Sequence, residues 1–345
     1  MISYGQCFLY GVILLNIFAC NESSKEISAS FYHWKTAWAP QHTELATVNA
    51  LAVKKLYIKF FDVDWEVGKA HPKAVFQVNE LNRSSLDSFE IIPTIFITNN
   101  TLKHYTPATV NELANKIYTK IKALLNANDL IMNELQLDCD WTESTRETYF
   151  ALLNTLKENM DEGMVLAATI RLHQVKYPDK TGIPPVDRGV LMYYNMGEVM
   201  NWEEPNSILN NAIGAKYLEA LPTYPLKLDL ALPIFAWAVL FRDGKMIRLI
   251  NDCRSSDLQD TLRFEKIAPN RYEVLQSTYL NGYYLYLGDK IRLEYCTSND
   301  LFAAANALAP KMPREAFTVI FYHLDGSNLE AFPSEELKKI IHAFY

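Results

Sequence analysis

Residues 134–146, ELQLDCDWTESTR, decide the fold of this chain, because they begin as a β-strand and end as the start of a helix. Side chains alternate across a strand. One predicted face therefore carries Gln136, Asp138, Asp140 and Thr142, and the other carries Leu137, Cys139 and Trp141. Two carboxylates on one face at the end of an apolar strand are costly to bury without a purpose. The stretch therefore predicts a site at the carboxyl end of a β/α unit.

Seven more segments have strand character, and helical periodicity separates most of them. The eight predicted strands are residues 27–34, 55–63, 91–98, 135–141, 165–172, 189–195, 226–238 and 318–324. This alternation predicts an α/β fold, a (β/α)8 TIM barrel over residues 27–345. Residues from about 240 to 313, between strands 7 and 8, predict a small α+β insertion. A separate C-terminal domain is the alternative, but it would leave seven strands without closure.

The composition excludes several classes of function. The 345 residues are 49% hydrophobic and 21% charged, which suits one barrel with insertions. The net charge is −7 and no dense Lys/Arg stripe occurs, so we expect no nucleic-acid partner. Metal-ligand spacing is missing from the sequence, and we expect neither a metal nor an organic cofactor. We expect a monomer.

The amino terminus predicts export and anchoring. Residues 8–19, FLYGVILLNIFA, form an apolar run that is too short to span a bilayer, which needs ~20 residues. Cys20 and a polar segment follow, in an arrangement that resembles a bacterial lipobox. We therefore expect a signal peptide over 1–19, a lipidated linker over 20–26 and a lipid anchor on Cys20. This places the protein in the bacterial cell envelope, in the periplasm or on the surface. An ordinary secretory signal or a buried first strand is the alternative.

In a barrel of this type the carboxyl ends of the strands meet around one mouth. The candidate side chains there are His33, Trp34, Asp62, Asp138, Asp140, Arg171, Tyr194, Asn195, Glu198, Trp237, His323 and Asp325. Carboxylates beside aromatic rings fit acid–base chemistry on a glycosidic bond. The GxSxG, Walker, HExxH and GxGxxG motifs do not occur in the sequence. We expect a carbohydrate or glycan ligand.

Two strings in the sequence resemble motifs of glycoside hydrolase family 18, the chitinase-like barrels. Residues 138–141, DCDW, resemble the fourth-strand signature Asp-Gly-x-Asp-x-Asp-Trp-Glu, and residues 192–195, MYYN, resemble the sixth-strand motif Met-x-Tyr-Asp/Asn. The LDCDWT string at 137–142 is also similar to a group of uncharacterised bacterial lipoproteins built on such barrels. The resemblance implies a TIM barrel acting on a polysaccharide, with Asp138 and Asp140 in the catalytic site and Tyr194 as a hydrogen-bonding partner.

The chain departs from the family pattern where the chemistry matters. Thr142 stands where the pattern has its catalytic Glu, and a Thr hydroxyl does not release a proton near neutral pH. Three other carboxyl groups are candidate acids, namely Glu143, Glu198 and Asp140. We favour Asp140, because a neighbouring carboxylate at Asp138 would raise its pKa.

Three functions stay open at this point. The first is a lipid-anchored glycosidase, and the second is a carbohydrate-binding pseudoenzyme, which Thr142 suggests. The third is a protein-interaction scaffold, since barrels host unrelated roles. The Asp pair also has a purely structural interpretation, in which the carboxylates bond backbone amides or Arg171. Cys253 and Cys296 are compatible with a disulfide.

Overall fold

The computed structural model describes residues 26–313 and 315–345, and it confirms the predicted barrel. The ring closes because the first strand, Ile27–His33, pairs in parallel with both the second, Lys55–Glu66, and the eighth, Phe317–Tyr322. The other five strands, in order, are Glu90–Ile97, Glu134–Asp138, Val165–Arg171, Arg188–Met192 and Leu228–Pro233. The predicted signal peptide, Cys20 and most of the linker lie outside the described residues.

Helices cover the outside of the ring. The longer ones are His42–Ala50, Val110–Ala127, Arg146–Asn159, Ser298–Leu308 and Ser334–His342. The shorter ones are Glu80–Arg83, Asn99–Leu102, Leu172–Lys176, Pro178–Thr181, Asn211–Gly214 and Gly326–Ala331, with 3₁₀ turns at Ser84–Leu86, Leu218–Thr223 and Ser255–Leu258. The helix Val110–Ala127 buries Val110, Leu113, Ile117 and Ile121, a single apolar stripe at helical spacing. No described helix combines the length and the apolar character needed to cross a bilayer.

The predicted seventh strand, 226–238, is in fact two strands. Leu228–Pro233 belongs to the barrel, and Ala236–Arg242 starts a second sheet. The change of direction falls at Ile234, whose amide still bonds the Tyr322 carbonyl at 2.9 Å, while Ala236 already pairs with Tyr295 in the second sheet. Both strands are buried and apolar, so hydrophobicity gave no signal at the boundary.

The insertion is a five-stranded antiparallel sheet with its own apolar core. Its strands, in spatial order, are Lys245–Asn251, Ala236–Arg242, Lys290–Tyr295, Arg271–Val274 and Phe264–Ala268. A hairpin of Thr278–Leu280 and Tyr283–Leu285 packs on this sheet. Three further short strands lie between the first and third barrel strands in the sequence, namely Ala37–Trp38, Lys69–Lys73 and Gln77–Val78. Cys253 and Cys296 are buried free thiols, so they do not form the disulfide that the sequence allowed.

A buried ion pair fixes the insertion to the barrel. Arg292 and Glu294 have no exposed side-chain surface, and Arg292 Nε lies 2.7 Å from Glu294 Oε1. Arg292 also donates to the Val199 carbonyl at 2.9 Å, and Glu294 accepts from the Ser207 amide at 3.0 Å. Both backbone partners lie in the loop after the sixth barrel strand. The insertion therefore holds one side of the mouth in place.

Charged side chains occupy the opposite, amino-terminal end of the barrel. Arg188 pairs with buried Asp229 at 3.1 Å, and Lys55 lies 3.5 Å from buried Glu134. Asp229 also accepts from the Thr318 amide at 2.7 Å. These contacts hold that end of the barrel together.

Candidate functional site

Two cavities open beside each other at the carboxyl ends of the barrel strands. Their volumes are about 400 and about 420 Å³. Both are lined by Asp140, Arg171, Tyr194 and Asn195, so these four residues form the boundary between them. The first cavity also contains the predicted residues Trp34, Asp138, Trp237 and His323. Eight of the predicted site residues are thus brought together at one mouth.

Asp138 is the last residue of the fourth barrel strand and points into the first cavity. Its side chain is buried, and the Thr169 hydroxyl donates to its Oδ1 at 2.7 Å. Burial raises the pKa of Asp138 to about 6, against the opposing charge of Arg171, and the neighbouring charge of Asp140 adds to the rise. Asp138 therefore keeps its proton to a pH closer to neutral than an exposed aspartate does.

Asp140 lies two residues beyond the end of that strand and is bound by Arg171, the last residue of the fifth strand. Arg171 Nη2 donates to Oδ2 at 2.8 Å, and Arg171 Nε donates to Oδ1 of the same carboxylate. Such two-pronged pairs are among the strongest charge-assisted hydrogen bonds. Both carboxylate oxygens of Asp140 thus accept hydrogen bonds from the Arg171 guanidinium, and the choice of Asp140 as the acid stays a prediction from the sequence.

Thr142 lines the second cavity, and its hydroxyl belongs to a local network before the helix Arg146–Asn159. The hydroxyl shares hydrogen bonds with Ser144 at 3.0 Å and Thr145 at 3.3 Å. Its amide donates to the Thr145 hydroxyl at 3.0 Å. Glu143 is exposed and lines neither cavity. The position of the family's acid is therefore held by a neutral hydroxyl.

Tyr194 and Asn195 follow the sixth strand. Tyr194 is buried, and burial raises the pKa of its phenol well above the usual value, so the hydroxyl stays protonated as a donor. Asn195 is exposed and has a φ of 52°, a left-handed conformation that Asn tolerates better than most residues. Its backbone N–H donates to the Ile208 carbonyl at 2.7 Å, which leaves the side-chain amide out of this bond. The loop after the sixth strand thus presents an amide side chain at the boundary of the two cavities.

Tyr322 is the centre of an aromatic wall in the first cavity. Its ring centroid lies 5.5 Å from Trp34, 5.5 Å from Tyr194 and 5.4 Å from Phe235. The Trp237 indole N–H donates to Glu294 at 2.6 Å, which orients that ring at the edge of the wall. Sequence reasoning chose His323 and missed Tyr322, because it placed the end of the eighth strand two residues too late.

Asn251 and Asp252 reach the first cavity from the insertion. The His323 ring is half-buried beside them, and desolvation lowers its pKa although Asp252 opposes this. A neutral imidazole and an exposed carboxylate therefore face the same space. Sequence reasoning missed Asn251 and Asp252, because they end a strand whose position relative to the barrel depends on the fold of the insertion.

Two predicted residues on the first two strands lie outside both cavities. His33 is buried, its Nε2 lies 3.2 Å from the Ala37 carbonyl, and its ring packs edge-on against Trp38 at 4.9 Å. Burial lowers the pKa of His33 to about 3. Asp62 pairs with buried Lys59 at 3.1 Å. The contacts of His33 and Asp62 are therefore made with neighbouring protein groups, and neither side chain lines a cavity.

Glu198 and Asp325 also lie outside the two cavities. Glu198 is exposed and lines neither cavity, and its backbone amide donates to Glu204 at 3.1 Å. Asp325 caps the helix Gly326–Ala331 by accepting from the Ser327 amide at 2.8 Å. It also pairs with Lys35, which does line the first cavity, at 2.5 Å. Within residues 26–313 and 315–345, no cluster of three His, Cys, Asp or Glu side chains is arranged to hold a metal ion.

Solved structures with a similar barrel include a spore cortex-lytic enzyme and chitinases. The Bacillus cereus spore cortex-lytic enzyme SleL is 13% identical, covers 93% of this chain and 75% of its own, and has a TM-score of 0.56. The GH18 chitinase ChiB of Flavobacterium johnsoniae is 12% identical, with 93% and 94% covered and a TM-score of 0.52.

A third similar structure was solved with a ligand. It is a mutant of the Ostrinia furnacalis Group II chitinase catalytic domain 2 in complex with penta-N-acetylchitooctaose. The identity is 11%, the coverage is 93% of this chain and 96% of that one, and the TM-score is 0.54. No protein-family model matches this sequence, and neither does any curated protein. At these identities the likeness shows the fold, which is that of the chitinase-like barrels.

Proposed function

We propose that the barrel mouth binds a glycan chain containing N-acetylglucosamine and does not cleave it. The observation that carries this proposal is the pairing at the centre of the mouth. Arg171 holds Asp140, and the neutral Thr142 stands where the family resemblance puts the acid. Among the described residues, the carboxylates that line the two cavities are Asp138, Asp140 and Asp252, with no glutamate beside them.

The wall of the first cavity suits a sugar ring. Trp34, Tyr322 and Trp237 offer flat apolar faces with polar edges, a combination common where one side of a ligand is apolar and the other hydrated. Asn195, Asp252 and the Tyr194 hydroxyl supply hydrogen-bonding groups around that wall. The N-acetylglucosamine class is taken from the ligand of the Ostrinia furnacalis domain.

Cleavage needs an acid that reaches the glycosidic oxygen. The Thr142 hydroxyl cannot fill that role, and it is already bonded to Ser144 and Thr145. Both carboxylate oxygens of Asp140 accept hydrogen bonds from Arg171, so this group is already engaged as an acceptor. A site with intact binding walls and no acid in the family position binds the chain and releases it unchanged.

Calorimetric titration of the full-length chain in detergent with an N-acetylglucosamine hexamer tests binding. Trp237→Ala removes one stacking face, and we expect about a tenfold loss of affinity, from ~1.5 kcal/mol per aromatic contact. Trp65→Ala is the matched control, because Trp65 is also half-buried but stacks on His104 away from both cavities. No measurable binding, or equal losses in both variants, would overturn the proposal.

Hydrolysis with Asp138 as the acid is the second candidate. It is favoured by one observation, the pKa of about 6 at that carboxyl group. In that case prolonged incubation with the hexamer yields shorter oligomers, and Asp138→Asn abolishes them. On the binding proposal neither protein yields products.

We also propose that the protein is a monomer anchored in the bacterial cell envelope by a lipid on Cys20, with the barrel in the periplasm or at the surface. The lipobox-like string supports the anchor. Labelling cells with a radioactive fatty acid tests it, and Cys20→Ala should lose the label. Light scattering in detergent tests the monomer. A labelled Cys20→Ala chain or a dimeric mass would refute the respective point.

A further inference from the structure

A hairpin on the insertion exposes an aromatic face to solvent. Its strands, Thr278–Leu280 and Tyr283–Leu285, pair Tyr279 with Tyr284. Because side chains alternate in a strand, Leu280 and Leu285 point inward, and both are buried in the insertion core. Tyr279 and Tyr284 point outward and are 68% and 45% exposed. A hairpin with one solvated face normally carries polar side chains there, so this aromatic face is unusual.

The outward rings form an ordered row. Tyr279 contacts Tyr284 edge to face at 5.1 Å, and Tyr284 contacts Tyr286 in the same way at 5.0 Å. The guanidinium of Arg242 lies 4.2 Å from the Tyr286 ring centroid. Contacts of this kind hold rings in one orientation, which lowers the entropy cost of binding a ligand to their faces. We name Tyr279, Tyr284 and Tyr286 the tyrosine row.

The hairpin begins at the rim of the mouth. Asn281, at its turn, donates to the Asn251 carbonyl at 3.3 Å and to the Asp252 carbonyl at 3.2 Å, and both of these residues line the first cavity. The other end of the row contacts Arg242, five residues along the strand from Trp237. The ring centroids of the row are 5.1 and 5.0 Å apart, so the row is two ring-to-ring steps long and runs from near the hairpin turn to Arg242.

We propose that a glycan chain bound in the mouth continues over the tyrosine row, which stacks on sugar units beyond the first cavity. This rests on the proposed glycan binding in the mouth. A sugar chain is the occupant that the geometry favours, because the hairpin turn bonds to two residues that line the mouth, and the row continues from beside that turn as a line of ring faces with hydroxyl edges. Such a platform makes affinity depend on the length of the chain.

The test compares an N-acetylglucosamine dimer, which fits in the mouth alone, with the hexamer. Calorimetry uses the full-length protein in detergent, the double variant Tyr279→Ala/Tyr284→Ala and the control Tyr345→Ala. Tyr345 is 65% exposed and lies at the other end of the barrel, where its hydroxyl donates to the Ile27 carbonyl. Both substituted rings of the double variant face solvent, and far-ultraviolet circular dichroism checks its fold.

We expect the hexamer to bind wild type more tightly than the dimer, and the double variant to lose about tenfold in hexamer affinity, from two contacts of ~0.7 kcal/mol. Dimer affinity should stay unchanged in all three proteins. An unchanged hexamer affinity in the double variant would refute glycan binding by the tyrosine row, while glycan binding in the mouth would remain supported. If the wild-type protein dimerises in solution and the double variant stays monomeric, the row is a protein–protein interface and not a glycan site. If neither the sugar dimer nor the hexamer binds the wild-type protein, glycan binding is refuted for both the mouth and the row.

Discussion

Asp138→Asn should change the pH dependence of stability in a way that can be worked out from the structure. The buried carboxyl has a pKa of about 6, whereas the same group in an unfolded chain has its ordinary value of 3.8. Between these values the folded state binds more protons than the unfolded state, so the free energy of unfolding falls as pH rises. A separation of about 2 at ~1.4 kcal/mol per pH unit corresponds to about 3 kcal/mol.

Urea unfolding of wild type and Asp138→Asn at about pH 4 and about pH 7 measures this effect. The variant lacks the ionisation, so its unfolding free energy relative to wild type should rise by about 3 kcal/mol from pH 4 to pH 7. Thr169→Val is the companion variant, because it removes the hydroxyl that donates to the ionised carboxylate. It should destabilise the protein more at pH 7 than at pH 4. A difference between Asp138→Asn and wild type that does not vary with pH would refute the buried, proton-holding Asp138.

Three further outcomes follow from named contacts. Asp140→Ala leaves the Arg171 guanidinium without its carboxylate. It should lower the free energy of unfolding in urea by about 1–2 kcal/mol, a modest value because the Asp140 side chain is 54% exposed. An unchanged free energy of unfolding would mean that the pair is not formed. Glu294→Gln breaks the fully buried pair with Arg292 and should cost about 3 kcal/mol in the same assay, so a loss under ~1 kcal/mol contradicts the burial. The His33 ring should stay neutral from about pH 5 to about pH 8 in an NMR titration, and a midpoint in that range would show a hydrated ring.

The fold could be predicted because the barrel strands are apolar runs and most of them are separated by segments with helical periodicity. The fourth strand is such a run, and its alternation predicts Asp138 at its carboxyl end. The pattern failed at residues 226–238, where two buried strands from different sheets follow each other with Ile234 and Phe235 between them. Hydrophobicity reports burial, and it does not report which sheet buries a residue.

The site could be predicted in part. Strand ends correctly brought Trp34, Asp138 and Arg171 to one mouth, because parallel strands of a barrel share one carboxyl end. The sequence does not show which of these side chains contact each other. The pairing of Asp140 with Arg171 was therefore only one of several interpretations of the Asp pair. Asp252 could not be predicted at all, since it reaches the mouth only through the fold of the insertion.

We propose that this mouth holds a glycan and leaves it whole. Native mass spectrometry of the full-length chain in detergent, after prolonged incubation with an N-acetylglucosamine hexamer, detects binding and cleavage in one spectrum. We expect a complex of one chain with one intact hexamer and no smaller oligomers. A spectrum with shorter oligomers, or with no complex at any ligand concentration, would contradict it.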